Sequence, residues 1–233
     1  MATCTLAGSA RRIVIIGASG NAHDILDILD AVNMLECRWK VAGFLDDARP
    51  AGAGHFGATI LGRLEEGASL ADVSGPLSDT VFVNAIASER THRQKIGIIA
   101  RTGLPTLRFA TLVHPFASVS PRAALGRDVC IGPHCAIAGA VRVEDHVWIG
   151  AHCLVGHDCE IAAGATLAAG ANLAGGVRVG AGAYVGTGAC IRPGCTIGAG
   201  ALVGMGAVVL KDVPPGATVV GNPAYILRSA PNP

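Results

Sequence analysis

From Val113 onward every sixth residue is a branched aliphatic, through seventeen consecutive hexads that end at Val209. The residue four places after each is Ala, Val or Cys, from Ala117 to Val213, and Gly recurs at the third place from Gly164 to Gly206. A period of six matches neither a helix nor an isolated strand, so it describes a coil that repeats. Three hexads per coil give three short parallel strands around a triangular prism. The aliphatic fills the interior and the small residue fits near a corner. Stacked at a strand spacing of about 4.8 Å, these hexads make a little under six coils, on the order of 27 Å of prism. Glycine supplies the backbone conformations that sharp corners require.

The repeat also divides the chain. Residues 1–110 carry mixed, charged, helix-compatible sequence, whereas residues 111–233 are repeat followed by a short tail. Two domains meeting near residue 110 are expected. A formal charge of +1 and an aromatic content of 4% leave no basic stripe for nucleic acid. Hydrophobic content reaches 51% because Ala is abundant, yet no apolar run attains the roughly 18 to 20 residues of a spanning helix. Met1 to Arg12 lack the apolar stretch of a signal peptide, so a cytoplasmic protein is expected.

The eight cysteines stop looking like a disulfide framework once they are placed in the repeat. Cys135, Cys153, Cys159 and Cys195 fall at the small inward position of the hexad, where a thiol packs as a slightly large alanine. Cys130 and Cys190 take the last hexad position, and Cys4 and Cys37 lie outside the repeat without metal-ligand spacing. Cys135 and Cys153 stack on neighbouring coils and are expected to stay reduced in the cytosol.

In the N-terminal half, Arg11 to Ile16 reads as a buried strand running into the turn Gly17-Ala-Ser-Gly20. A helix from about Ala22 to Val32 follows. A second strand, Val41 to Leu45, ends at Asp46-Asp47, and a third, Val81 to Ala85, precedes a helix from about Glu89 to Arg101. Thr106 to Phe109 is a candidate fourth strand. This βαβ order predicts a small Rossmann-like parallel sheet with its ligand at the carboxyl ends of the strands. The first turn would offer backbone N–H groups and a helix N-terminus to a phosphate, and Asp46 stands where an acid can reach a ribose. The G-x-G-x-x-G spacing of dinucleotide enzymes is absent, which favours a nucleotide half without a redox cofactor.

Five histidines lie in the repeat, and their phases separate them. His134 and His152 share one corner eighteen residues apart, His146 precedes His152 by one hexad, and His114 is in the first hexad. His157 alone takes the second place after its aliphatic. Its neighbours one coil away are Gly139 and Gly175, which leaves room for a substrate. Asp158 follows directly, and a carboxylate on one ring nitrogen fixes the tautomer and raises the basicity of the other.

With Ile15 to Gly20 reading I-I-G-A-S-G, Gly43 to Asp47 reading G-F-L-D-D, Gly156 to Ile161 carrying G-H-D-C-x-I and Val219 to Ala224 reading V-V-G-N-P-A, the chain resembles a known family over nearly its whole length. That family comprises sialic-acid O-acetyltransferases and bacillosamine-type nucleotide-sugar N-acetyltransferases, which are hexapeptide-repeat acyltransferases. The resemblance implies a left-handed parallel β-helix after the nucleotide-sugar domain, parallel homotrimers with sites between neighbours, and acetyl-CoA as cosubstrate without a metal. It implies His157 as general base and Asp158 as its modulator. It places the nucleotide-sugar at Ser19, Gly20, Asn21, Asp46 and Asp47, and the acetyl-CoA arm near Thr187 and Met205. Two positions depart from the family. Thr166 stands nine residues after the base, where the family often has a second His near the acetyl group, and is expected to bind acetyl-CoA there through its hydroxyl; Asn21 replaces the His of Ser-Gly-His.

The function expected is N-acetylation of an amino sugar on a nucleotide (UDP, GDP or dTDP) for surface glycan biosynthesis. Sugar or sialic-acid O-acetylation is the alternative. Two readings from other classes are a γ-type carbonic anhydrase with zinc at His152 and His157, and a non-catalytic trimeric scaffold. The histidine phases argue against the first, and the His157-Asp158 pair between glycines argues against the second.

Overall fold

The computed structural model describes residues 10–72 and 74–229. Cys4, and the part of the Met1 to Arg12 leader reading that falls on residues 1–9, lie outside the described residues. The N-terminal part is built on β1 (Arg11–Ile16), α1 (Asn21–Leu35), β2 (Trp39–Leu45), β3 (Gly54–His55), β4 (Ala58–Gly62), α2 (Gly67–Leu70), β5 (Val81–Asn84) and α3 (Lys95–Ala100). The sheet order is β3-β4-β2-β1-β5, parallel except for the β3–β4 hairpin. β1 occupies the centre because Ile13 to Ile16 are apolar on both faces. Ile13 and Ile15 pack with Ile25, Ile28 and Leu29 of α1, while Val14 and Ile16 pack with Leu64, Leu77 and Ile99 on the other side.

Two expectations for this half need correction. The helix drawn from Glu89 to Arg101 is only a 3-10 turn at His92–Gln94 followed by α3, since Ser88 and Thr91 pair hydroxyls at 2.8 Å and hold the preceding segment as a turn. Thr106 to Phe109 is a 3-10 turn over Thr106–Arg108 with a single bridge from Phe109 to Phe82. Arg108 there donates to the carbonyls of Thr80, Ala71 and Leu77, which ties the segment down as a turn. The β3–β4 hairpin was not anticipated, because its strands are short and glycine-bounded.

The repeat forms seventeen two-residue strands from Leu112–Val113 to Val208–Val209, each ending on one of the periodic aliphatics. From Leu112–Val113 to Cys190–Ile191 each strand pairs in parallel with the one eighteen residues on, as in Val113 with Ile131 and Ile137 with Val155. The result is a left-handed parallel β-helix with three sheets. The aliphatics and the small residues four places on make one continuous interior. At the third place after the aliphatic, φ is positive from Asp128 onward: Asp128, His134, Ala140, His146, His152 and Asp158 precede the glycines in that slot. Asp and His are among the non-glycine residues that enter the left-handed region most readily.

The three faces of the prism differ in what covers them. Leu112, Cys130 and Trp148 point outward from one face and join the core of α1, so the N-terminal domain packs there. The next face shows Ser118, Ala136, Leu154, Asn172, Cys190 and Val208, uncharged and for the most part exposed. The third shows Arg142, Glu160 and Arg178 to solvent, with Arg178 Nε 3.5 Å from Glu160. A clasp fixes the domain at the corner after the third face. There His92 Nδ1–H donates to Gly182 O at 2.7 Å, and Arg93 donates to Gly200 O and Gly216 O, each at 2.8 Å.

Candidate active site

His157 sits at the corner between the uncharged and the charged faces. Its Nδ1–H donates to Asp158 Oδ2 at 2.7 Å, and Nε2 has no protein partner among the described residues. Consecutive side chains on an extended strand point to opposite sides. Here the left-handed backbone at Asp158, φ +58°, lets them converge. Both are exposed, His157 by 75% of its side chain, so a substrate or a second subunit can reach the free nitrogen. The ring leans over Gly175 rather than Gly139, since a Cβ on Gly175 would fall 2.7 Å from Cε1 and Nε2.

The turn after β1 is held by side chains at both ends of Ala18. Asp46 Oδ2 accepts from the Ala18 N–H at 2.8 Å, and the His55 ring donates to the Ala18 carbonyl at 2.8 Å. Gly17, φ +88°, gives the reversal that leads to Ser19, Gly20 and the start of α1 at Asn21. The other Asp46 oxygen accepts from the Ala48 N–H and faces Arg49, so this buried carboxylate braces the turn. Asp47 points elsewhere. It accepts from the Leu64 N–H and from Arg101, which also pairs with Glu65; burial raises its pKa, but those donors outweigh burial and hold it below the usual carboxylate range. The two neighbouring acids therefore part, and only Asp46 adjoins the turn.

Between α1 and the prism lies a cavity of about 410 Å³ that brings Asn21 and Thr166 together, with Asp24, Asp27, His114 and Tyr184. Thr166 is buried, and its Oγ1 accepts from Lys95 Nζ at 3.4 Å. Lys95 is fully buried, and loss of solvation lowers its pKa to about 8 against the pull of Asp128. Asp128 in turn accepts from His146 Nδ1–H and the Asn84 N–H, both at 2.8 Å, while burial pushes its pKa up. Burial and then His134 push His114 down.

Asp24, Asp27 and Lys95 were not singled out from the sequence, and His114 was placed only in the first hexad. A usable signal existed in the period of eighteen among outward residues Leu112, Cys130 and Trp148, which marks one face as covered. It also exists in the spacing of Asn21, Asp24 and Ile28 on one face of α1, all three of which line the cavity. The corner between the covered and uncharged faces carries Ala151 and Ala169 at the cavity wall, then Thr187 and Met205 on the next two coils, both exposed. His157 is at the other edge of the uncharged face. One chain thus does not bring His157 together with Asn21, Thr166, Thr187 and Met205. Nor do His152 and His157 of one chain converge, because they occupy different corners of the same coil; among the described residues there is no group of three metal-ligating side chains.

Residues 12–97 match the PglD N-terminal domain, and residues 140–175 and 176–211 match the bacterial transferase hexapeptide of six repeats. Among solved structures the chain is similar to a histidine-to-asparagine variant of perosamine N-acetyltransferase from Caulobacter crescentus in complex with CoA and GDP-perosamine. That match has 32% identity and a TM-score of 0.80, over 93% of this chain and 97% of that one. The acetyltransferase domain of PglB from Neisseria gonorrhoeae, in complex with acetyl coenzyme A, is 30% identical with a TM-score of 0.77, over 94% of this chain and 100% of that one. WeeI from Acinetobacter baumannii is 27% identical with a TM-score of 0.74, over 94% of this chain and 100% of that one. No curated protein matches the chain.

Proposed function

The chain belongs to the hexapeptide-repeat acyltransferases that carry a PglD-type N-terminal domain, and from that premise we propose that it N-acetylates an amino sugar carried on a nucleotide, with acetyl-CoA as donor. The observation that carries the reading is the His157–Asp158 bond with Nε2 left free at an exposed corner. As the sugar nitrogen attacks the thioester carbon, a C–N bond forms and His157 Nε2 takes the amine proton. The Asp158 carboxylate stabilises the imidazolium. Collapse of the tetrahedral intermediate breaks the C–S bond, and the thiolate leaves as CoA after taking up a proton. Such a base contributes about 10² to 10⁴ in rate.

The nucleotide of the acceptor would lie at Ser19, Gly20 and Asn21, on the turn that Asp46 braces, with Asp47 holding the adjoining loop through Arg101. The sugar would enter the cavity at Asn21, and Thr166 would face its far end. The acetyl-CoA arm would follow the corner past Thr187 and Met205. GDP-perosamine in the Caulobacter enzyme supports an acceptor of this class.

A homotrimer completes the site. Of the three faces, one is covered by the chain's own N-terminal domain and one is charged. The uncharged face with Leu154, 47% exposed, is the one suited to burial at a three-fold axis. Packed there, the His157 corner of one subunit meets the cavity corner of the next. We place the reaction in the cytoplasm, in the service of surface glycan synthesis; no helix among the described residues is long and apolar enough to cross a membrane.

The test is a panel of UDP-, GDP- and dTDP-linked amino sugars, ranked by thermal shift and then assayed with acetyl-CoA for CoA release, with the product located by mass spectrometry. An amide on one of these sugars is expected. Turnover with none of them, or an ester as product, would sink the proposal.

A further inference from the structure

We propose that His152 supplies, from the adjacent subunit, a hydrogen-bond donor to the thioester carbonyl oxygen at the site where His157 acts as base. The inference rests on the trimeric acetyltransferase reading above and adds a residue to it. His152 and His157 lie on the same coil, at the two corners that bound the uncharged face. When that face is buried between parallel subunits, the two histidines come to one level from opposite sides of the interface. Gly150 and Ala151, immediately before His152, line the cavity that holds Asn21 and Thr166, so His152 stands on the cavity's rim.

Three features fit His152 to this task. Its side chain makes no hydrogen bond to protein among the described residues, whereas His92, His146 and His157 each have a partner. Its ring plane is set by stacking on His134 at 4.9 Å and 21°, and His134 stacks in turn on Phe116 at 5.8 Å and 24°. On the opposite side of His152 the same slot holds Gly170, φ +70°, and then Gly188 and Gly206. The ladder of rings therefore stops at His152 and an open column begins, leading past Thr187 and Met205. An extended thioester lying in that column would end beside the His152 ring. Thr166 accepts from Lys95 and keeps its O–H to donate, but it stands on the covered face rather than at the corner where this column runs.

In the reaction the ring N–H would meet the oxygen that gains charge as the carbonyl π pair moves onto it, and the proton would stay on His152. Loss of one such donor typically costs about 10² to 10³ in kcat. His152→Ala should show a fall of that order with little change in acceptor KM, and His152→Gln, which keeps an N–H donor, should recover part of it. A purely structural role would lower the melting temperature and leave kcat alone, which would overturn the assignment.

Mixed trimers decide which subunit supplies the ring. His157→Ala and His152→Ala chains with different tags are co-expressed, and trimers carrying both tags are isolated. Their turnover is measured with the acceptor that serves the wild type in the panel above. Either mixed composition contains one interface with both histidines intact, so about one third of wild-type activity should return. Activity no higher than that of the His157→Ala parent would mean that the residues act within one chain, and full activity in the His152→Ala homotrimer would mean that His152 is not at the site. Wild type inactive with every acceptor, or a monomer by light scattering, would instead locate the failure in the parent reading.

Discussion

Adding one methyl group at Gly175 tests the position of the base without touching the base itself. The new Cβ would fall 2.7 Å from Cε1 and Nε2 of His157, against an ordinary contact of 3.4 Å or more, so the ring has to withdraw by roughly 0.7 Å. The fold has little reason to object. Gly175 is not among the positive-φ glycines, and the His157 ring swings into solvent. Stability should stay within about 0.5 kcal/mol of wild type. Catalysis is less forgiving, because misplacing a reacting group by about 1 Å costs on the order of 10² in rate. Gly175→Ala should therefore lose between about 10- and 100-fold in kcat, with the acetyl-CoA KM and the thermal melt unchanged. Gly139→Ala, one coil the other way, is the control, since its Cβ would meet Arg122 Nε at 3.3 Å and not the imidazole. Full kcat in Gly175→Ala would show that His157 does not act from this position. Equal losses in both variants would point to disturbed coils.

Replacing His157 with Ala or Asn should lower kcat by about 10² to 10⁴ while acetyl-CoA still binds in calorimetry, and Asp158→Asn should cost less. Asp46→Ala removes the acceptor of the Ala18 and Ala48 N–H groups, so denaturant unfolding should report a loss of about 1–3 kcal/mol together with a raised acceptor KM. Asp47→Ala, whose partners are Arg101 and Leu64, should affect the acceptor less. Lys95, its pKa lowered by burial to about 8, binds fewer protons in the folded than in the unfolded state from about pH 8 up to about 10. Stability conferred through this group rises with pH across that window, and the rise should flatten in Lys95→Met, as read from unfolding midpoints at several pH values. Turnover should survive exhaustive chelation, because the mechanism uses His157 Nε2 as a free base; loss restored by zinc would revive the metalloenzyme reading.

The repeat was legible because a single constraint, one inward aliphatic per strand, recurs with no exceptions between Val113 and Val209. Its corners were half legible. Glycine marks the left-handed slot only from Gly164 onward, and the earlier occupants His134, His146, His152 and Asp158 read as side chains rather than as backbone solutions. For these residues position is dictated first by the corner, and any chemistry is added to that. In the N-terminal half the fully apolar β1 announced itself, whereas Thr106 to Phe109 alternated like a strand and was claimed by Arg108 as a turn. The His157–Asp158 pair needed only adjacency to be seen. The cavity at Asn21 and Thr166 depends on how α1 meets the prism, where Ile28 and Trp148 join one core; each follows its own period, but neither period says that the two elements meet.

The Arg93 clasp turns coil number into a measured quantity. A repeat of this kind can gain or lose a whole eighteen-residue coil without disturbing its hydrophobic interior, since every aliphatic would still find a neighbour above and below. Arg93, however, reaches Gly200 and Gly216 from a domain that also touches Leu112 near the first coil. Duplication or deletion of a coil between those points would leave the guanidinium facing the wrong carbonyls and would slide the cavity past His114. Whole-coil changes in this chain should therefore spare the clasp only beyond Gly216, and chimeras that exchange N-terminal domains should keep the coil count up to that residue.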